Sequence, residues 1–271
     1  MAALAAAITI YWTVKYEIPV STSQAIVGAI IGWNLYSKKP TEIEVLTKIV
    51  GTWILCPLLA AALAIVLYII VRFIIKRFNI HIISLDSYTR VGLIIAGAFC
   101  AYALGANNIA NVMGVFVPSS PIESISFKGF YLNSSQVLFL IGAIAISVGV
   151  FTYSHKVIKT IGNGILSMTP VAALVVVVSQ ALVLFIFSSQ GLQNLLTANN
   201  LPSIPLVPVS STQAVIGAVI GIGLLKGGKG IRWSILGKIV IGWIASPIIA
   251  LVICFISLFF LENVFNLQVY M

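Results

Sequence analysis

The sequence predicts an all-α, polytopic membrane protein with a duplicated fold and re-entrant or discontinuous helices. Three observations carry that prediction: apolar runs long enough to cross a bilayer, shorter apolar runs headed by polar clusters, and an internal repeat. Of the 271 residues, 60% are hydrophobic and only 8% are charged, with a mean hydropathy of +1.13, whereas a soluble domain is about 25% charged. The same wealth of apolar residues excludes a disordered chain. The solvent for most of this surface is lipid, where helices satisfy every backbone group internally.

Five runs have the length and composition of spans, at residues 45–71, 87–104, 136–153, 171–187 and 235–261, since a crossing takes about 20 residues. Residues 1–14 are apolar too. They lack a basic leader and a small-residue cleavage site, so they do not read as a signal peptide. That run is expected to be the tail end of a longer helix. Three further pieces, 19–35, 105–117 and 208–225, are short and begin at Pro, Gly, Ser or Asn. Such interrupted segments point to re-entrant or broken helices, which survive at membrane depth only when buried in protein or lining a cavity.

The repeat is explicit. PVSTSQAIVGAIIG at 19–32 recurs as PVSSTQAVIGAVIG at 208–221. Downstream, KIVGTWILCPLLA at 48–60 matches KIVIGWIASPIIA at 238–250, pairing Trp53 with Trp243 and Pro57 with Pro247. Two copies of a polar-headed short helix followed by a full span mean a duplicated fold, divided here as residues 1–80 and 81–271. Only 18 residues precede the first copy, so the chain is expected to begin inside its first repeat. In secondary transporters such a duplication puts the substrate site at the interface of the halves.

The net charge of +9 comes from fifteen Lys and Arg against six acids. Its placement excludes a nucleic-acid surface. The basic residues cluster between apolar runs, as at Arg72, Lys76 and Arg77 or Lys226, Lys229 and Arg232, and no basic stripe is interleaved with aromatics. Positive helix ends of this kind face headgroups or the cytoplasm. Cys56, Cys100 and Cys254 are isolated in apolar stretches, so they carry neither a metal nor a disulfide pattern.

The chemistry lies in two elements. Ser21, Thr22 and Ser23 in one copy, and Ser210, Ser211 and Thr212 in the other, follow a Pro-Val pair and open an apolar helical run. Hydroxyls there cap a helix. The helix start also leaves unpaired N–H groups and partial positive charge, which with several hydroxyls suits a tetrahedral oxyanion. A single copy would read simply as a good helix start; two copies in a membrane chain favour function, because polar groups at that depth are costly. The second element is GANNIANVMG at 105–114. Asn107, Asn108 and Asn111 can share one helical face, as ligands for a cation or anion or as interhelical hydrogen-bonding groups.

These residues resemble the inorganic phosphate transporter family, whose signatures read GAND-x-AN and PVS-S/T-T-H. VIKTIGNGILSMTP at 157–170 is also similar to a family segment. The resemblance implies a multi-pass symporter with two inverted repeats that moves phosphate with Na⁺ or H⁺, often as a homodimer, with no other cofactor and no nucleic-acid partner. It implies anion contacts from Ser21, Thr22, Ser23, Ser210, Ser211 and Thr212, with Asn107 and Asn108 nearby. Cation ligands would come from Asn108, Asn111, Gln24 and Gln213.

Asn108 stands where the family has Asp, and Gln24 and Gln213 stand where His is common. The resulting site is neutral. It holds no titratable proton and repels a dianion less than a carboxylate would, which keeps sulfate as the alternative substrate.

Other features take simpler readings. GLLKGGKG at 223–230 ends in Gly230 where a phosphate loop needs Ser or Thr, and follows a helix rather than a strand. Gly28 with Gly32, and Gly217 with Gly221, form small faces that bring helices close. Glu17 is a loop charge or an entrance group for cations. An enzyme would need a reactive constellation, and none is present in the sequence.

Overall fold

The computed structural model describes residues 1–16, 18–127, 130–159, 164–228 and 230–269. Glu17, Lys229 and part of the 157–170 segment lie outside the described residues. In chain order the elements are α1 (Ala2–Lys15), α2 (Thr22–Tyr36), α3 (Ile43–Arg77), α4 (Ile82–Met113), a 3-10 stretch (Gly114–Ser119), β1 (Ile125–Phe127), β2 (Phe130–Leu132), α5 (Ser134–Lys159), α6 (Pro170–Ser188), α7 (Gln190–Ala198), α8 (Ser211–Leu225) and α9 (Trp233–Asn263). The two short strands pair antiparallel, Ile125 opposite Leu132.

Among the described residues, five helical segments are long and apolar enough to cross a membrane: Ile43–Arg77, Ile82–Ser119, Ser134–Thr152, Pro170–Ser188 and Trp233–Asn263. These are the five predicted spans. Their outer faces are apolar, with Ile54, Leu58 and Phe73 of α3, Ile94 and Ile95 of α4, and Ile244 and Ile248 of α9 exposed. A surface of that character belongs against lipid. Hydroxyls along the spans need no water: Ser147 donates to the Ala143 carbonyl at 2.9 Å, Thr152 to Val148 at 2.8 Å and Ser179 to Val175 at 2.7 Å.

By contrast, α2 and α8 have 15 residues each. At 1.5 Å per residue they reach about 22 Å, short of a hydrocarbon core of about 30 Å. The third short piece is not separate. Residues 105–113 are the last turns of α4, a helix of 32 residues, and only from Gly114 does the backbone tighten into the 3-10 stretch. No proline interrupts α4, and nothing lies within 4 Å of a side chain built at Gly105. The helix therefore runs on through the Gly-Ala-Asn-Asn sequence.

The chain forms two compact units, one made of Met1–Thr41, Asn108–Ile158 and Gly242–Met271, the other of Glu42–Asn107 and Lys159–Ile241. Both draw on both copies of the sequence repeat, so grouping by packing differs from grouping by repeat.

The first unit is built on α1, α2 and α9. Its core contains Ala5, Ala6, Ala25, Ile26, Ala29, Ala250, Cys254 and Leu258. The predicted small face of α2 meets backbone: a Cβ at Gly28 would lie 2.5 Å from Pro247 Cα, and one at Gly32 would lie 3.0 Å from Leu251 Cα. At the far end of α2, Tyr36 donates to the Glu262 carboxylate and sets its ring edge-on to Phe255.

The second unit packs α8 against α3 and α6. A Cβ at Gly217 would lie 2.6 Å from Pro57 Cα, and one at Gly221 would lie 2.9 Å from Ala61 Cα. In both units the two contacts rise together by four residues, so the paired helices run parallel. Each short helix packs on the long helix that follows the other copy of its motif, α2 on α9 and α8 on α3. Both long helices carry an internal proline, Pro57 or Pro247, which leaves the carbonyl four residues earlier, on Trp53 or Trp243, without its helical donor.

Candidate functional site

Each short helix opens on the same capped tip. Ser21 is the N-cap of α2 in extended conformation, and its Oγ accepts from the Gln24 N–H at 3.3 Å. Ser210 caps α8 and accepts from the Gln213 N–H at 3.2 Å. The sequence chooses this start for a plain reason: proline and valine precede it, a serine follows in extended geometry, and a run of small and apolar residues propagates the helix. The first intrahelical bonds are Ala25 N–H to the Ser21 carbonyl at 3.1 Å and Ala214 N–H to the Ser210 carbonyl at 3.0 Å. Thr22 and Ser23, like Ser211 and Thr212, lie in the first turn, ahead of these bonds. Capping and anion binding are compatible uses of the same tip, because a cap employs serine oxygen as an acceptor and leaves its proton to donate.

Ser21, Ser23 and Ser210 are buried, and Thr22, Ser211 and Thr212 are partly so. Ser210 Oγ and Thr212 Oγ1 are 3.0 Å apart and share a hydrogen bond. These hydroxyls collect at the starts of two helices too short to reach across the bilayer.

The three asparagines of α4 serve the two tips differently. In the second unit, Asn107 grips the peptide at Val209: its Nδ2 donates to the Val209 carbonyl at 2.7 Å, and its Oδ1 accepts from the Val209 N–H at 3.0 Å. That two-point clamp holds the residue just before the cap Ser210. In the first unit, Asn111 Nδ2 donates to Ser23 Oγ at 2.8 Å and to Asn108 Oδ1 at 3.3 Å. Asn107 and Asn111 are buried, at 3% and 7% exposure, while Asn108 is partly exposed. The shared helical face expected from their spacing exists, but Asn107 spends its amide on backbone.

One further residue touches the second tip, a cysteine that the sequence showed only as isolated in an apolar stretch. The buried Cys56 thiol, on α3, contacts the Ser210 carbonyl at 3.6 Å as a weak donor. Its repeat counterpart in the first unit is Ser246, also fully buried. Both stand immediately before the helix proline. That paired Cys-Pro and Ser-Pro placement was the available signal.

Gln24 and Gln213, the residues expected as cation ligands, are buried behind the tips at 2% and 3% exposure. Among the described residues their amide oxygens have no hydrogen-bond partner. The tips themselves are uncharged. Among the described residues, the ion pairs Lys48–Glu44 and Arg90–Asp86 are exposed and local to one helix, and no group of three or more His, Cys, Asp or Glu gathers anywhere. The electrostatics of each tip therefore come from helix-terminal N–H groups and hydroxyl dipoles, which favour an anion.

A family model described as the phosphate transporter family matches residues 1–85, 83–194 and 195–269. A protein of Methanocaldococcus jannaschii named "putative phosphate permease" is 30% identical over 240 residues, covering 89% of this chain and 68% of that one. A Rhizobium meliloti protein named "probable low-affinity inorganic phosphate transporter" is 26% identical over 257 residues, covering 93% of this chain and 71% of its own. A solved structure titled "The sodium-dependent phosphate transporter" superposes with a TM-score of 0.73 at 21% identity, over 96% of this chain and 79% of that one. At that identity the likeness speaks for the fold.

Proposed function

Because the chain belongs to the phosphate transporter family of multi-pass membrane proteins, we propose that it moves inorganic phosphate across the membrane by secondary, cation-coupled symport. The observation that carries this reading is the doubled tip: two 15-residue helices with matching serine caps and hydroxyl-rich first turns. On this reading phosphate exchanges its hydration shell for the hydroxyls of a tip, Ser21, Thr22 and Ser23 in the first unit and Ser210, Ser211 and Thr212 in the second, and for helix-start N–H groups. Several donors are needed, since stripping water from an anion at membrane depth is expensive unless each oxygen finds a replacement.

Na⁺ is the proposed co-substrate. Neutral oxygen donors suit a hard monovalent cation, and the amide oxygens of Asn108 and Asn111 next to the Ser23 hydroxyl supply them in the first unit. The name of the structural neighbour supports sodium. Asn107 acts on this reading as a positioning residue that sets the backbone ahead of Ser210. The neutral donor set binds without a carboxylate that would compete for the cation with phosphate.

The test is uptake by the full chain in proteoliposomes. Inward [³²P]phosphate uptake driven by an imposed Na⁺ gradient, and competed by unlabelled phosphate far better than by sulfate, is the expected result. Equal competition by sulfate moves the assignment to a general oxyanion permease, and absence of gradient-driven uptake overturns symport.

A further inference from the structure

Buried polar atoms without partners occur in matched sets in this molecule. In the first unit they are Gln24 Oε1, Trp243 Nε1 and Ser246 Oγ; in the second, Gln213 Oε1 and Trp53 Nε1. A buried acceptor and a buried donor left unpaired are both costly, and the same costly combination has been kept in both copies of a repeat.

The helix register puts each of these glutamines opposite a tryptophan. Gly28 lies on Pro247 and Gly32 on Leu251, so one turn earlier on the parallel pair Gln24 faces Trp243. Likewise Gly217 lies on Pro57 and Gly221 on Ala61, so one turn earlier Gln213 faces Trp53. An amide oxygen can only accept and an indole N–H can only donate. All these atoms expose less than 1 Å², which denies them a partner arriving from solution. Their natural partners are each other.

We infer that Trp243 and Trp53 are positioning residues, each donating its indole N–H to the facing glutamine, Gln24 or Gln213, when the tip closes on its anion. Two features let a change at the tip reach this pair. The backbone N–H of each glutamine is the one held by the capping serine, so reorientation of that serine toward an anion moves the first helical turn that carries the glutamine. On the other side, the tryptophan carbonyl has lost its helical donor to the proline one turn on, which softens that turn. The Gly-to-backbone contacts beyond the proline stay fixed, because they leave no slack to slide. The latch rests on the proposed function, since an oxyanion at the tip is what closes it.

The second unit gives the cleaner test, because Cys56 there is committed to the Ser210 carbonyl, whereas Ser246 gives the first unit a second candidate donor. The full chain in proteoliposomes is read by ultraviolet resonance Raman, whose indole bands report N–H hydrogen bonding, before and after adding inorganic phosphate; radiolabelled phosphate binding is measured on the same samples. The expected result is a phosphate-induced strengthening of indole hydrogen bonding that is roughly halved in Trp53→Phe and in Gln213→Leu, and lost in Trp53→Phe combined with Trp243→Phe. Each single variant raises Kd for phosphate by about fivefold, the size of one hydrogen bond, and the double variant Trp53→Phe with Gln213→Leu raises it no further than either alone. Phosphate that binds normally while the indole bands stay still, or effects of the two substitutions that multiply, would overturn the latch. Wild-type protein that binds no phosphate overturns the functional reading beneath it.

Discussion

Gly217→Ala inserts one methyl group into the tightest helix contact of the second unit. The added Cβ would sit 2.6 Å from Pro57 Cα and 2.8 Å from its carbonyl carbon, whereas non-bonded carbons rest at about 3.5–4.0 Å. Because the obstructing atoms are backbone, no rotamer change relieves the clash, and α8 must move away from α3 by roughly 1 Å. Overpacking of this kind costs about 1–3 kcal/mol of stability. The same shift pulls Ser210 from the Cys56 thiol and strains the Asn107 clamp on Val209. A displacement of about 1 Å in a positioned site can lower a rate by as much as 10²-fold, so a loss of ten- to a hundredfold in initial phosphate uptake is expected, with a lowered Tm in detergent. Gly51→Ala on the same α3, where nothing lies within 4 Å, is the control: uptake is unchanged and Tm does not fall, since alanine is the better helix former. Wild-type uptake and Tm in Gly217→Ala would refute the claim that the glycine contact positions the tip.

Two further substitutions separate positioning from binding. Asn107→Asp keeps the shape but sets a carboxylate oxygen against the Val209 carbonyl in place of the 2.7 Å donor, so uptake falls by at least about tenfold, as expected for a broken buried hydrogen bond; uptake kept within twofold would contradict the clamp. Asn108→Asp keeps the acceptor that Asn111 uses and adds charge beside the proposed cation ligands, so the half-saturating Na⁺ concentration in uptake assays drops several-fold, and an unmoved Na⁺ titration would exclude Asn108 from the cation site.

Much of this was legible because membrane insertion imposes strong rules. Residues 45–71, 136–153 and 171–187 could only be spans, and a Pro-Val-Ser start repeated at Pro19 and Pro208 could only be a helix start used twice. The small faces at Gly28 and Gly217 read correctly as close contacts, since a missing side chain is useful mainly where backbones meet. What the sequence concealed was partnership. Similarity between copies says which elements are alike, and it is silent on which ones touch, so α2 on α9 and α8 on α3 emerge only from the fold. The run at 105–117 looked like a separate piece because Gly and Asn often punctuate helices, yet without a proline nothing stopped α4. Asn107 kept its predicted face while its amide went to Val209, and spacing alone does not distinguish a ligand from a clamp. Trp53 and Trp243 were visible as a repeated pair four residues before a proline, but that they face Gln213 and Gln24 follows from helix register.

On the proposed function the hydroxyl-bearing tips bind the anion. Equilibrium binding of radiolabelled phosphate to the purified full chain tests it most directly, comparing wild type with a Ser210→Ala, Ser211→Ala, Thr212→Ala variant that retains its helix content and Tm. A rise in Kd of more than about tenfold is expected, since several hydrogen bonds to a charged group are removed at once. A folded variant with the wild-type Kd would contradict it.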